Sequence, residues 1–291
     1  MSISKVPPII IIGMSRSGSN ILTRMLEDLG LFVGKKKDRN NEAIFFNRLN
    51  IWLLGQCSGG LENPSSIIYL LKDMEARALL VDFIRYIMRT PKAVSFLGLR
   101  KYIRYCTPAN LDIPWGWKDP RNTYTLPVWL DIFPEAKVIH IYRHGVDVVN
   151  SLRVRRKRGL LRLKERHTWI KPLYWLYLMM KFVPTKRRFI DLRCASMEEG
   201  LLMWEEYVNE ARTHVRKLED RAIEVRYEDL LTEPNPILKH LVEFCGLRAT
   251  DRDIERVTMQ IKRERAYAYK GNPELEAFAT HVAERLRAQG Y

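Results

Sequence analysis

The sequence predicts an α/β fold: a mainly parallel sheet flanked by helices, with a basic helical insertion. Two short, nearly continuous apolar runs, Pro8–Ile12 and Ala136–Tyr142, read as strands buried on both faces. Stretches of helical period alternate with them, as in βα units. The 291 residues are 46% apolar and show neither an internal repeat nor a Gly/Ser linker, so one domain is expected over 1–291.

Taken in order, the first strand stops at Gly13, and a polar Gly-containing loop follows. Ile21, Leu22, Met25, Leu26 and Leu29 then recur at helical spacing, with Gly30 placed to close that helix. Residues 66–90 read as helical. Ile113–Trp117 is expected as a second strand, Ala136–Tyr142 as the third, and a helix from Val146 to about Arg156 follows it. Ser196-Met197-Glu198-Glu199 has the form of a capping box. Met197, Leu201, Trp204, Val208, Ala211, Val215 and Leu218 continue from it as one long amphipathic helix. Ala222–Tyr227 is a fourth strand. Helices are expected from about Pro236 to Cys245, after Asp251, and from Glu274 to Arg287.

The 49 Lys/Arg and 34 Asp/Glu leave a net charge of +15, which points to an anionic partner. Residues 152–193 hold fourteen of the basic and only two of the acidic side chains, so +12 of that charge lies in one segment. The four cysteines are far apart and form no CxxC, and the six histidines have no zinc spacing, so no metal site is expected. Reduced thiols suit a cytoplasmic protein. The apolar run near the N-terminus is too short for a signal peptide, and no run approaches the ~20 residues of a membrane span.

The loop after the first strand is Gly13-Met14-Ser15-Arg16-Ser17-Gly18-Ser19-Asn20. A turn of this kind opening a helix offers unpaired N–H groups and the positive end of the helix dipole, a site for phosphate or sulfate. It is P-loop-like in its glycine spacing. The Lys-Ser/Thr that would meet a nucleoside triphosphate and its magnesium is replaced by Ser19-Asn20, and the cation has moved to Arg16. A second anion element, Tyr142-Arg143-His144-Gly145-Val146-Asp147-Val148-Val149-Asn150-Ser151, follows the third strand. Arg143 stands at the strand's carboxyl end, where open α/β sheets bind ligands, and Ser151 follows eight residues on. His140 is expected inside the strand and His144 nearer the ligand edge.

With these elements the sequence resembles the sulfotransferases that use 3′-phosphoadenylyl sulfate (PAPS) and release 3′-phosphoadenosine 5′-phosphate (PAP). The resemblance implies that IIIIGMSRSGSNIL cradles the 5′-phosphosulfate through Arg16, Ser17, Gly18, Ser19 and Asn20. It implies that Arg143 and Ser151 hold the 3′-phosphate. VRYEDLLTEP is similar to the family's strand-then-YEDL segment and implies Tyr227 near the adenine. Tyr269-Lys270-Gly271-Asn272 is similar to a late lysine–glycine segment over the 3′-phosphate, although Tyr269 stands where the family has Arg. Trp117-Lys118-Asp119-Pro120 resembles the Lys-Thr-Pro segment near the reacting sulfur, with Asp119 replacing Thr. The catalytic set so implied is Arg16 and Lys118 as cations and Glu42 as base, with Asp119 as second choice for the base.

The activity expected is transfer of a sulfuryl group from PAPS to a hydroxyl or amine of a small-molecule, glycan or lipid-linked acceptor, without a metal. The aromatic and basic residues of 152–195 suit an acceptor wall or an anionic membrane surface, which would make the protein peripheral to the membrane. Two other readings stand beside this one: a P-loop kinase or NTPase, and a non-catalytic module for polyanions or membranes. No nucleic-acid motif is present, and nucleic acid is not expected as a partner.

Overall fold

The structure is a computed structural model describing residues 5–180, 190–259 and 261–291; along 166–178 and at 180 only the backbone is described. Four parallel strands, β1 (Ile9–Ile12), β2 (Gly116–Lys118), β3 (Lys137–Tyr142) and β4 (Ala222–Arg226), form a sheet in the order β2-β1-β3-β4. Ile10 lies opposite Trp117 on one side and Val138 on the other, and Ile139 lies opposite Ile223. The connection leaving β1 runs to one flank and that leaving β3 to the other. The loops after β1 and β3 therefore diverge and open a crevice between them, the place where such sheets take ligands.

The helices are α1 (Ser19–Asp28), α2 (Ile44–Gly55), α3 (Ile67–Lys72), α4 (Met74–Arg89), α5 (Val94–Tyr105), α6 (Asn122–Ile132) and α7 (Gly145–Met180). They continue with α8 (Met197–Leu218), α9 (Tyr227–Thr232), α10 (Pro234–Cys245), α11 (Asp251–Thr258), α12 (Pro273–His281) and α13 (Ala283–Ala288). β1 shows why the sheet is covered on both faces. Ile10 and Ile12 point into one core with Phe46, Trp117 and Trp129, whereas Ile9 and Ile11 point into another with Leu22, Leu26 and Leu230. All four isoleucines are at most 2% exposed, and burying each contributes about 2 kcal/mol. Phe46 lies flat on Trp117, ring centroids 3.9 Å apart, and so locks α2 onto β2.

Several expectations need correction. The second strand is Gly116–Lys118, not 113–117. Within 113–117 the backbone of Trp115 still bridges to Phe32, and regular pairing with β1 begins at Gly116. The helix after β3 runs on to Met180, so the basic stretch starts as a continuation of α7. The side chains of the aromatic run lie outside the described residues, apart from the exposed Met179. The last helix is two, α12 and α13, separated by Val282 at φ −103°, ψ 18°. Ser196 caps α8 by accepting from the Glu199 N–H at 3.5 Å, one half of the expected box.

Among the described residues no helix is long and apolar enough to cross a membrane.

Candidate active site

The loop between β1 and α1 is held by close approaches that only glycine allows. At Gly13, φ 134°, a Cβ would come within 2.2 Å of the Ile141 carbonyl oxygen. The Gly13 N–H donates to Thr123 Oγ1 at 3.1 Å. At Gly18, φ 96°, a Cβ would fall 2.1 Å from the Tyr227 ring. Arg16 is non-glycine at φ 78°, a costly backbone region that the surrounding loop must hold in place. Gly18 also caps α1 without a side chain; its carbonyl accepts from the Ile21 N–H at 3.1 Å, and no capping side chain occupies the Ser19 and Asn20 N–H groups.

A cleft of about 290 Å³ opens where the loops after β1 and β3 part; Arg16, Lys118, Arg143, Arg155 and Arg265 line it, with Glu42 and Tyr227. The two anion elements touch inside it. Arg16 Nε donates to Ser151 Oγ at 2.7 Å. Arg143 Nη2 donates to Asp147 Oδ2 at 3.0 Å and to the Arg265 carbonyl at 3.1 Å, and its guanidinium lies 4.7 Å over the Tyr227 ring. The Arg16 guanidinium is pulled down by burial first and then by the charges of Arg155 and Arg143. Asp147, Glu42 and Asp191 pair with Arg143, Lys118 and Arg155, so the surplus positive charge of the cleft rests on Arg16, Arg24 and Arg265. Ser17 Oγ, Asn20 Oδ1 and Arg143 Nε are buried polar atoms without a hydrogen-bond partner, and such groups call for a ligand's oxygens and donors. A roomier groove, about 580 Å³, runs between β4 and α10, but Glu224, Asp229 and Glu233 line it with Arg226 and it suits no polyanion.

At the cleft's other end Lys118 comes off β2, with its side chain 3% exposed. Its Nζ donates to the Asn40 carbonyl at 2.7 Å and to Glu42 Oε1 at 3.2 Å. Asn47, on α2, donates to Glu42 Oε2 at 2.7 Å. Burial, then Asp119, push the Glu42 carboxyl above its ordinary range, with Lys118 and Arg121 opposing them. Phe45 and Phe46 are themselves buried in the core beside it. Asp119 is fully buried and accepts from Arg121, at 2.9 Å from the N–H and 3.0 Å from Nη1. It sits behind Glu42 and is not part of the cleft's lining.

The cleft thus gathers Arg16, Gly18, Ser19, Asn20, Glu42, Lys118, Arg143 and Tyr227, with Ser17 buried beneath the loop and Ser151 bonded to Arg16. Lys270 and Gly271 do not join them. Lys270 Nζ lies 4.7 Å over the Tyr267 ring, and the Gly271 N–H donates to Glu276 Oε1. The cation that the late segment brings to the cleft is Arg265, which closes a short turn at Arg263–Arg265 and was not singled out in the sequence. Arg24 and Arg155 were likewise missed. Arg155 follows Ser151 by one helical turn, and that spacing is the signal that could have found it. His140 is buried in β3 against Glu224, and His144 stacks on Tyr269 with ring centroids 4.3 Å apart.

Residues 7–170 match the sulfotransferase family model and residues 117–282 the sulfotransferase domain model. Each covers more than half of the chain, and the chain belongs to the sulfotransferase family. Among solved structures it is similar to the sulfotransferase domain from the curacin biosynthetic pathway, with 16% identity and TM-score 0.50, over 96% of this chain and 99% of that one. It is also similar to the sulfotransferase domain of the Synechococcus PCC 7002 olefin synthase, with 20% identity and TM-score 0.47, over 97% and 87% of the two chains. A sulfotransferase from Alicyclobacillus acidocaldarius aligns at 15% identity and TM-score 0.47, over 98% and 94%. No curated protein matches the chain.

Proposed function

We propose that residues 1–291 act as one catalytic unit that moves the sulfuryl group of PAPS to a hydroxyl or amine acceptor, in line and without a metal, leaving PAP. One observation carries this reading: Arg16 and Arg143, from the two anion elements, line the same cleft, and Arg16 is bonded to Ser151 of the second element. A single donor with phosphate groups at both ends suits such a pair. The orphaned Ser17 Oγ, Asn20 Oδ1 and Arg143 Nε fit its oxygens and donors. Loop chemistry favours sulfuryl over phosphoryl transfer, because Ser19-Asn20 stand where a triphosphate loop carries Lys-Ser/Thr.

In this reading Arg143 and Ser151 take the 3′-phosphate and Tyr227 flanks the nucleotide. Arg16 and the first-turn N–H groups take the 5′-phosphosulfate. The bond from sulfur to the bridging phosphate oxygen breaks as the bond from sulfur to the acceptor oxygen forms. The electron pair left on phosphate is met by Arg16 and the loop amides, and removing one such donor typically costs about 10²–10³ in rate. Glu42 takes the acceptor proton. Burial makes its carboxylate a stronger base, and Lys118 and Asn47 hold it in place.

A thermal-shift titration tests the reading with PAP, AMP and ATP with Mg²⁺. PAP at about 100 times its Kd stabilises the protein by about 2.7 kcal/mol. Arg143→Ala reduces the preference for PAP over AMP at least tenfold. A parent protein that responds equally to PAP and AMP, or prefers ATP with Mg²⁺, refutes it.

A further inference from the structure

Arg155 is a cleft cation for which the two anion elements have no use. It follows Ser151 by four residues and Asp147 by eight, so the three share one face of α7. Asp191 grips it through two bonds of 2.6 Å, to Nε and to Nη2. The Nη1 donors stay outside that pairing, and the side chain is 33% exposed while that of Asp191 is 7% exposed. Asp191 is itself anchored. The next two backbone N–H groups, of Leu192 and Arg193, both donate to Glu62 Oε2, at 2.6 and 3.2 Å, and Arg193 forks onto Glu206. A guanidinium pinned along one edge cannot swing to follow the donor, and its other edge is kept for an oxyanion.

Its position follows from the residues that line the cleft with it. Arg155 lines the cleft with the loop residues Arg16, Gly18 and Ser19, and among the charges it is the one that most depresses Arg16. Burial pulls its own guanidinium down, but the bond and charge of Asp191 outweigh that, and Glu42 adds to them. Arg155 thus shares the cleft with the loop, Lys118 and Glu42, where an acceptor hydroxyl must meet its base.

We propose that Arg155, oriented by Asp191, is an acceptor-binding residue that takes an oxyanion of the acceptor: a carboxylate, a phosphate ester or a sulfate ester. The proposal rests on the sulfotransferase reading above, with Glu42 as base.

The test uses the full chain saturated with PAP and titrated with glycerol 3-phosphate, glycerate and glycerol, read as a further thermal shift. The parent protein is expected to respond saturably to one or both anions and not to glycerol. Arg155→Gln combined with Asp191→Asn, which strands no buried charge, keeps the PAP response within threefold and weakens the anion response at least tenfold. Arg155→Lys keeps the charge without the fork and weakens it at least threefold, and decides the matter should the double variant fail to fold. A parent that binds PAP but neither anion overturns the proposal. So does an anion response that survives the substitutions, and so does a tenfold loss of PAP affinity, which would assign Arg155 to the donor. A parent indifferent to PAP refutes the function reading itself.

Discussion

Lys118→Met is the sharpest test of the buried pair at the end of β2. Nζ and Glu42 Oε1 are 3.2 Å apart with side chains 3% and 11% exposed. At an effective dielectric constant near 20, such a separation is worth about 5 kcal/mol of attraction before desolvation. Methionine regains the cost of burying the ammonium, but it leaves Glu42 facing only Asn47 and, at 3.9 Å, Arg121, and leaves the Asn40 carbonyl without its donor. Removing one partner of a buried pair costs about 3–5 kcal/mol, so a loss of about 3 kcal/mol is expected at pH 8. Glu42 already holds its proton more tightly than an ordinary carboxyl, and without Lys118 it does so further. A raised folded-state pKa contributes stability that is present below the unfolded value of 4.5 and lost as pH rises through the folded one. The deficit of the variant therefore shrinks as pH falls from 8 towards 5. Urea unfolding at the two pH values measures it, beside the double variant Glu42→Gln with Lys118→Met, which recovers all but about 1 kcal/mol. A deficit that ignores pH, or one that the added Glu42→Gln substitution leaves untouched, would show that the two groups are not coupled and that Glu42 is no base held by Lys118.

Gly18→Ala places a methyl group 2.1 Å from the Tyr227 ring at φ 96°. Backbone strain of about 1–2 kcal/mol and overpacking of about 1–3 kcal/mol together lower stability by roughly 2–5 kcal/mol, with PAP affinity falling as Tyr227 is displaced. Gly159→Ala in α7 meets nothing within 4 Å and is expected to stabilise by about 0.5–1 kcal/mol, so urea melts of the two variants should move in opposite directions. Burial, then Arg226 and Arg143, push His144 down to about 4. A depressed pKa contributes stability that is present above about 6.5 and lost as pH falls to about 4, up to about 3 kcal/mol. His144→Gln should flatten the pH profile of unfolding in that window, and an unchanged slope would contradict the burial of a neutral ring.

The parts legible in the sequence are those whose signal is one-dimensional. Ile9–Ile12 and Lys137–Tyr142 are apolar almost throughout, and the stripe of α8 repeats at steps of three and four, so their period alone reveals them. α2 escaped because Ile44-Phe45-Phe46 and Ile51–Leu54 spread apolar side chains around the helix. α6 carries Pro127 in its interior, which argues locally against helix and is overridden by packing, whereas α5 is broken at Gly98, φ 72° and ψ 163°, and its two short pieces show no period. In the site, residues at strand ends were readable because the strand itself marks them: Arg16, Lys118 and Arg143 each follow or close a β-run. Arg155 was hidden in the basic run Arg153–Arg158, where only its step of four from Ser151 sets it apart from the neighbouring cations. Lys270 was chosen by resemblance, and the chain instead brings Arg265 to the cleft.

The sheet order also bears on how the molecule is made. β1 takes both its neighbours from far downstream, at Gly116 and Lys137. Ribosomes add roughly 5–20 residues per second, so the isoleucine ribbon waits on the order of 5–20 s before either flanking strand is synthesised. Until then its edges are unpaired, and the phosphate loop that hangs from it has no wall to lean on. Production of this enzyme should therefore be unusually sensitive to translation speed and to the supply of holding chaperones in the interval between the first strand and the third.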